Sequence, residues 1–316
     1  MTEQHPYISI CIPAYKQVAM VRRLLDSILL QSFSDLEVIL TDDSPNQDIA
    51  VLAEEYRSRL NIIYHHNEVP LGTPENWNQA IRLAKGKWIK IMHQDDWFAD
   101  AKSLEIFYLH TLAYPNKDFF FSAFANCDIE RNRLEKVHCS FWQLLILKYS
   151  SLHLFKKVYI GNPSCTLIKN DAKLWYDRRL KFVVDFEYYI RCIQNGYQWH
   201  YISDHLINVG FHPHQVTQFT FLVPEVQIPE NNLLIEIFGK RILNNIFVFD
   251  YYWRMYRNLS IRSVEQAKGY NNDQIPAVLE RILRFQLRFP LSFLKWGGLS
   301  KTTMALAYIG YRLKLI

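Results

Sequence analysis

The acidic residues with the most chemical promise come in pairs. Asp42-Asp43 closely follows the apolar run LEVIL, and Asp95-Asp96 closely follows WIKIM. Side-by-side carboxylates at a strand end repel one another unless something neutralises them. A hard divalent cation does so, taking oxygen ligands while leaving positions open for phosphate oxygens. A solvated turn or a helix N-cap satisfies the same residues without a metal, so each pair taken alone is a weak sign. A third acid, Asp185 in VVDFEYYIR, opens a helical pattern. There it either complements the helix dipole or, facing a hydroxyl group, accepts its proton as a general base. The five cysteines (Cys11, Cys127, Cys139, Cys165, Cys192) form no C-x-x-C pair. Their spacing supports neither a zinc ribbon nor a disulfide framework, and the odd count fits a reducing compartment.

The elements that must position these acids are legible from periodicity. Short apolar runs predict strands at Tyr7 to Ile12, Leu36 to Leu40, Asn61 to His65 and Trp88 to Met92. Helical spacing predicts helices at Val18 to Gln31, Ile49 to Leu60 and Pro74 to Ala84 between them. Repeated β-α-β units imply a parallel sheet with helices on both faces. Ligands of such sheets bind beyond the carboxyl ends of the strands. Pro13-Ala14-Tyr15, Asp42-Asp43 and Asp95-Asp96 all fall at such ends, so three polar or aromatic clusters converge on one edge. Further on, Phe119 to Phe124 predicts a strand, Ser140 to Phe155 a helix, Tyr159 to Lys169 a loop followed by a strand, and Val184 to Asn195 a helix. From about Pro224 helix patterns dominate.

Composition narrows the field. The 316 residues are 49% apolar, 15% aromatic and 21% charged, which is a globular make-up with ample core and not a disordered one. The net charge is +5, and it is unevenly spread: from Arg254 onward 11 Lys/Arg face three Asp/Glu, which leaves the first 253 residues at −3. No run of ~20 apolar residues predicts a membrane-spanning helix, and MTEQHPYISIC does not read as a signal peptide. The expected location is therefore cytoplasmic. A dinucleotide dehydrogenase is disfavoured because the first strand ends in P-A-Y and not in G-x-G-x-x-G. A nucleic-acid binder is disfavoured because only the basic tail suggests one.

Read in order, ISICIPAYKQ, the helix ending LLQSF, LEVILTDDS, NEVPLGTPENWNQAI and AKGKWIKIMHQDDWF resemble the N-terminal signature of family 2 glycosyltransferases of the GT-A fold. The likeness is close over about residues 7–110 and looser through GNPSCTLIK and VVDFEYYIR to about Thr217. It implies an α/β, Rossmann-like and mostly parallel sheet flanked by helices over residues 1–223, with a nucleotide-binding half to about 100 and an acceptor half from 101. A helical, basic region would occupy 224–316. The activity implied is inverting transfer of a sugar from a nucleotide diphosphate, UDP-linked in the simplest case, to a hydroxyl of a glycan or lipid-linked acceptor in cell-surface polysaccharide synthesis.

The resemblance also implies roles. Pro13 and Tyr15 would line the base and ribose, Asp43 would accept a hydrogen bond from the base, and Asn76 would lie in a segment that contacts the nucleotide. Asp95 would face the ribose or a metal-bound water, and Asp96 would ligate Mn²⁺ or Mg²⁺. His212 in GFHPHQVTQ would complete the metal site, with His214 as competitor and Gly210 standing where an arginine is common. Asp185 would be the general base, with Glu187 next in line. Asn162, Ser164, Trp97 and Glu187 would border the acceptor. The alternative is a nucleotidyltransferase or other metal-dependent phosphoryl-transfer enzyme on a related sheet, which would not need Asp185.

The tail carries a separate expectation. Ile275 to Phe289 reads as a helix with Arg281, Arg284 and Arg288 on one face, and the segment beyond it is apolar with interspersed Lys and Arg. Such a region either lies on an anionic membrane face, placing the protein peripherally at the cytoplasmic side, or packs as a helical subdomain or an interface between copies.

Overall fold

The computed structural model describes residues 5–131, 133–171, 174–211 and 222–315. It divides into two compact units, one formed by residues 1–145 and 159–213, the other by 146–158 and 214–316.

The first unit is built on a nine-stranded sheet. β1 (Ile8–Ala14), β2 (Leu36–Asp42), β3 (Ile62–His66) and β4 (Trp88–Ile91) run parallel in the order β3-β2-β1-β4. β1 and β2 are almost wholly buried, as strands covered on both faces must be, and this is why they read as continuous apolar runs. α1 (Val18–Leu29), α2 (Asp48–Tyr56) and α3 (Glu75–Leu83) are the crossover helices. α1 turns Val21, Leu24, Leu25 and Ile28 into the core, at the i, i+3, i+4, i+7 spacing of a one-sided helix. Close packing fixes the return from α3 to β4: a Cβ on Gly86 would stand 2.6 Å from the Ser9 nitrogen. The buried Glu37 carboxylate accepts from Ser9 Oγ at 2.6 Å and from the Lys85 amide at 2.7 Å.

Beyond β4 the sheet becomes mixed. β8 (Thr166–Lys169) pairs antiparallel with both β4 and β6 (Phe119–Asp128). β6 pairs parallel with β9 (Trp199–Phe211) and antiparallel with β7 (Arg133–Val137), and the two-residue β5 (Trp97–Phe98) closes the edge against β9. α4 (Ser103–Ala113) packs on β9, and α6 (Val184–Gln194) precedes it in the chain. The helix expected over Ser140 to Phe155 is two pieces. α5 (Phe141–Tyr149) ends at the extended Ser150, and a 3₁₀ turn covers Ser151–Phe155.

The second unit is helical: α7 (Pro224–Phe238), α8 (Ile246–Asn258), α9 (Val264–Gly269), α10 (Ala277–Gln286), α11 (Leu291–Leu294) and α12 (Gly297–Arg312). Its core is aromatic, with Phe249, Tyr252, Trp253 and Tyr256 fully buried on α8. Two of the polar tips are held: Tyr252 donates to the Asn231 carbonyl at 2.7 Å, and the Trp253 indole to Ser300 Oγ at 3.2 Å. The amphipathic helix read over Ile275 to Phe289 is the shorter α10. Its apolar face (Val278, Leu279, Ile282, Leu283) is buried in contact with α8 and α12, so that face is used inside the unit. Arg284 on the other face pairs with Glu280, as does Lys268. Among the described residues no helix is long and apolar enough to cross a membrane.

Candidate active site

Three acids, Asp95, Asp96 and Asp185, and the histidine His93 form one group beyond the end of β4, and the chain explains how each arrives there. β4 delivers the loop His93-Gln94-Asp95-Asp96. Asp96 is completely buried. Its Oδ2 accepts from Asn162 Nδ2 at 2.7 Å, its Oδ1 accepts from the Gly210 amide at 3.0 Å, and Ser164 adds a further hydrogen bond. Burial, then the neighbouring Asp95 carboxylate, push the Asp96 pKa upward, while those hydrogen bonds oppose the shift. A buried carboxylate in that condition is stabilised by an added cation.

His93 faces the same carboxylate, with Nδ1 3.9 Å from Asp96 Oδ2, and its ring packs on Trp77 with centroids 4.7 Å apart. Burial holds its pKa below the usual imidazole range, against the pull of Asp95 and Asp185. One ligand atom from each of His93, Asp95 and Asp96 lies within 4.8 Å of the others. His93 Nε2 is buried, and no hydrogen-bond partner reaches it among the described residues. The two carboxylates suit Mn²⁺ or Mg²⁺, and the imidazole nitrogen is a ligand for Mn²⁺ rather than for oxygen-seeking Mg²⁺, so this donor set fits a divalent ion. The sequence reading passed over His93. Its signal was the H-x-x-D spacing to Asp96, hidden because a lone histidine at a strand end is usually structural.

Asp185 enters from α6, in whose first turn it sits. Burial raises its carboxyl to about 6, His93 lowers it and Asp96 raises it further. These couplings bring Asp185 electrostatically into the group with Asp96. Its Oδ1 is buried without a hydrogen-bond partner among the described residues. Glu187, two residues on, is otherwise engaged. It is fully buried and paired twice with Arg191, at 2.6 and 2.9 Å. Arg191 also donates to the Trp175 carbonyl at 2.7 Å, so this pair anchors α6.

Asn162 and Ser164, expected at the acceptor, both hydrogen-bond Asp96. Ser164 Oγ also accepts the His93 amide at 2.9 Å. Behind them the buried Lys90 on β4 donates to the Ser164 carbonyl and to the Thr166 carbonyl, the latter at 3.1 Å. Burial lowers the Lys90 pKa to about 7, opposed by Cys165 and Asp96. Trp97 has one ring face covered, because the Arg23 guanidinium lies 3.9 Å from its centroid. Arg23 also donates to the Asp95 carbonyl at 2.6 Å. Gly210 has a packing reason to be glycine. A Cβ there would stand 2.2 Å from the Asp95 carbonyl oxygen.

The first two strand ends form a second cluster. Asp43 is buried and accepts three bonds, from Asn67 Nδ2 at 2.8 Å, the Leu71 amide at 3.0 Å and the Gly72 amide at 2.8 Å. A carboxylate has about four acceptor positions, so these bonds chiefly order the 67–72 loop. Asp42 accepts from the Ser44 amide and the Tyr64 hydroxyl. The buried Asn76 receives Asn67 Nδ2 at 3.0 Å. Pro13 is half-buried on β1, and Tyr15 is 49% exposed just beyond it. Gln94 joins the two clusters, accepting the Tyr15 amide at 2.8 Å and donating to the Tyr15 carbonyl at 3.3 Å. His212 and His214 lie outside the described residues. A cavity elsewhere in the first unit, lined by Ile81, Ile89, Ile168, Tyr176, Tyr188 and Tyr197, is not lined by any of these acids.

Parallel strands delivering paired acids to one edge, continued by a mixed half from which the Gly210 amide and Asn162 reach the buried Asp96, are the architecture of a GT-A glycosyltransferase. Residues 9–173 match Glycosyl transferase family 2, and the chain belongs to that family. Among curated relatives it is 28% identical over 207 residues to "Uncharacterized glycosyltransferase MJ1057" of Methanocaldococcus jannaschii, covering 64% of this chain and 70% of that one. It is 26% identical over 201 residues to "Putative colanic acid biosynthesis glycosyl transferase WcaA" of Escherichia coli, covering 62% and 70%. Of solved structures, S. aureus TarS in complex with UDP-GlcNAc superposes with a TM-score of 0.62 at 14% identity, over 98% of this chain and 92% of that one. Family membership sets aside the phosphoryl-transfer alternative.

Proposed function

We propose that the protein transfers a sugar from a nucleotide diphosphate, a UDP-sugar, to a hydroxyl of a glycan or lipid-linked acceptor, with inversion at the anomeric carbon, in the synthesis of a cell-surface polysaccharide. The observation that carries this reading is Asp185: a buried carboxylate raised to about 6, with an oxygen that finds no partner among the described residues, coupled to His93 and Asp96 of the His93–Asp95–Asp96 cluster. A carboxylate near neutrality is matched to taking a proton from a hydroxyl as its oxygen attacks. Attack from the side opposite the leaving diphosphate gives inversion in one displacement.

Asp96, Asp95 and His93 would hold Mn²⁺ or Mg²⁺. The ion supplies Lewis-acid neutralisation of charge on the diphosphate when bound. Pro13 and Tyr15 would flank the base, with the Tyr15 ring stacking through the face that Lys16 Nζ, 4.8 Å from its centroid, leaves open, and Asp43 and Asn76 would order the loop beside it. Asn162 and Ser164 act as positioning residues for Asp96 in this reading. The names of the WcaA relative and the UDP-GlcNAc complex of TarS favour the pathway and the donor class. A cytoplasmic site of action follows from the nucleotide donor.

The test is transfer assayed with UDP-sugars and a set of glycan and lipid-linked acceptors, with the product's anomeric configuration read by NMR. Net retention would overturn the single-displacement assignment. Turnover by Asp185→Asn equal to wild type would move the base elsewhere.

A further inference from the structure

The C-terminal helix α12 is buried along one face and apolar along another. Ser300, Thr303, Met304 and Ala307 are buried, facing the rest of the second unit. A second set points outward. Leu299 is 38% exposed, Leu306 55%, Ile309 53% and Leu313 64%. Their spacing of i, i+7, i+10 and i+14 puts them on one narrow stripe. Trp296, 71% exposed, stands just before the helix, and Leu315, 74% exposed, just past its end. A helix that needs only one apolar face for its own unit gains nothing from a second in water.

The charge around the stripe is of one sign. From Arg281 to the last residue there are seven Lys/Arg and no Asp/Glu. Lys295, Lys301, Arg312 and Lys314 among them are exposed and lie within or beside α12. In angular terms Lys301 and Arg312 fall on the flank of the stripe away from the buried face. An apolar stripe with an exclusively cationic margin and an exposed tryptophan complements an anionic lipid surface. The apolar side chains enter the acyl boundary and the cations meet the headgroups. A second copy is the poorer fit, because docking stripe to stripe would bring two cationic margins together.

We infer that α12 lies in the plane of an anionic bilayer surface, with Leu299, Leu306, Ile309 and Leu313 inserted and Lys301 and Lys314 at the headgroups, while Arg312 is held on the Asn244 carbonyl and Tyr308. The inference rests on the second unit alone and is independent of the sugar donor. It also relocates the membrane contact expected for the tail, since the apolar face of α10 is spent on its own core.

The full chain is tested by co-sedimentation with phosphatidylcholine vesicles, with and without phosphatidylglycerol, at low and high salt. Light scattering without lipid is run in parallel. Binding is expected only to the phosphatidylglycerol vesicles, and salt should weaken it. Leu306→Gln with Ile309→Gln should lower the bound fraction by at least about tenfold, and Lys301→Gln with Lys314→Gln by a similar factor. All four positions are exposed, so the variants keep the wild-type melting temperature. Absence of binding at low salt overturns the proposal. So does equal binding by wild type and both variants. A wild-type dimer that Leu306→Gln with Ile309→Gln dissociates would assign the stripe to a second copy and likewise overturn it.

Discussion

The amide of Gly210 on β9 donates to Oδ1 of Asp96 at 3.0 Å, and the Asp95 carbonyl fills the space where a Gly210 side chain would stand. The two residues are 114 positions apart. Position 210 must therefore lack a side chain for the carboxylate to be gripped at all. Gly210→Ala forces the Asp95–Asp96 loop to move. A stability loss of roughly 1–3 kcal/mol is expected from the overpacking. Calorimetric titration of the variant with UDP and Mn²⁺ should also show weakened binding, and wild-type affinity would show that the loop tolerates the shift.

Asp96→Ala removes the central acid of the proposed metal site. Metal-dependent UDP affinity should fall by more than the roughly 10–100-fold seen for loss of an outer partner of a ligand. Titration with and without Mn²⁺ reads this directly, and an unchanged metal dependence would remove Asp96 from the site.

Asp185→Asn should keep UDP binding and lose turnover by about 10²–10⁴-fold. In wild type, turnover should decline as pH falls through about 6, where Asp185 takes up its proton. A rate profile flat from pH 5 to 7 (the span of about one unit either side) would argue for another base.

The same residue has a stability signature. Its carboxyl titrates higher in the fold than in an unfolded chain, so the native state binds the extra proton. The wild type therefore gains stability as pH falls through about 6 towards the ordinary carboxylate range, and is least favoured above it. Relative to wild type, Asp185→Asn should be more stable at neutral pH by roughly 1–3 kcal/mol. The difference should fade by about pH 4, as followed by urea unfolding across pH.

Arg191→Ala strands the buried Glu187 carboxylate without its cation. Such a loss costs about 3–5 kcal/mol. Urea unfolding should register it, and Arg191→Ala combined with Glu187→Gln should recover most of the loss if the pair is structural.

The parallel half of the sheet was legible because β1, β2 and β4 are covered on both faces and read as unbroken apolar runs ending in polar clusters. The mixed half was legible only in part: β6 and β8 were expected, while β5, β7 and β9 were not. β9 reads WHYISDHLINVGF, whose half-exposed positions carry polar residues and mask its length. β5 is two residues long and exists only through its pairing with β9. The acids of the site announced themselves at strand ends, but their support did not. Asn162 and Ser164 reach Asp96 from the 3₁₀ turn before β8, and no local spacing connects residue 162 with residue 96. Arg23 grips Asp95 from α1 across 72 positions, a relation only the tertiary fold creates.

The grip of β9 on Asp96 also bears on when the proposed catalytic centre can come into being. A nascent chain that has released β1 to β4 already owns both acid pairs, yet it lacks the last amide that seats the buried one. Competence for the donor is then a late event in biosynthesis, withheld until residue 210 has emerged and docked, and nucleotide-dependent protection would serve as a clock for the completion of folding.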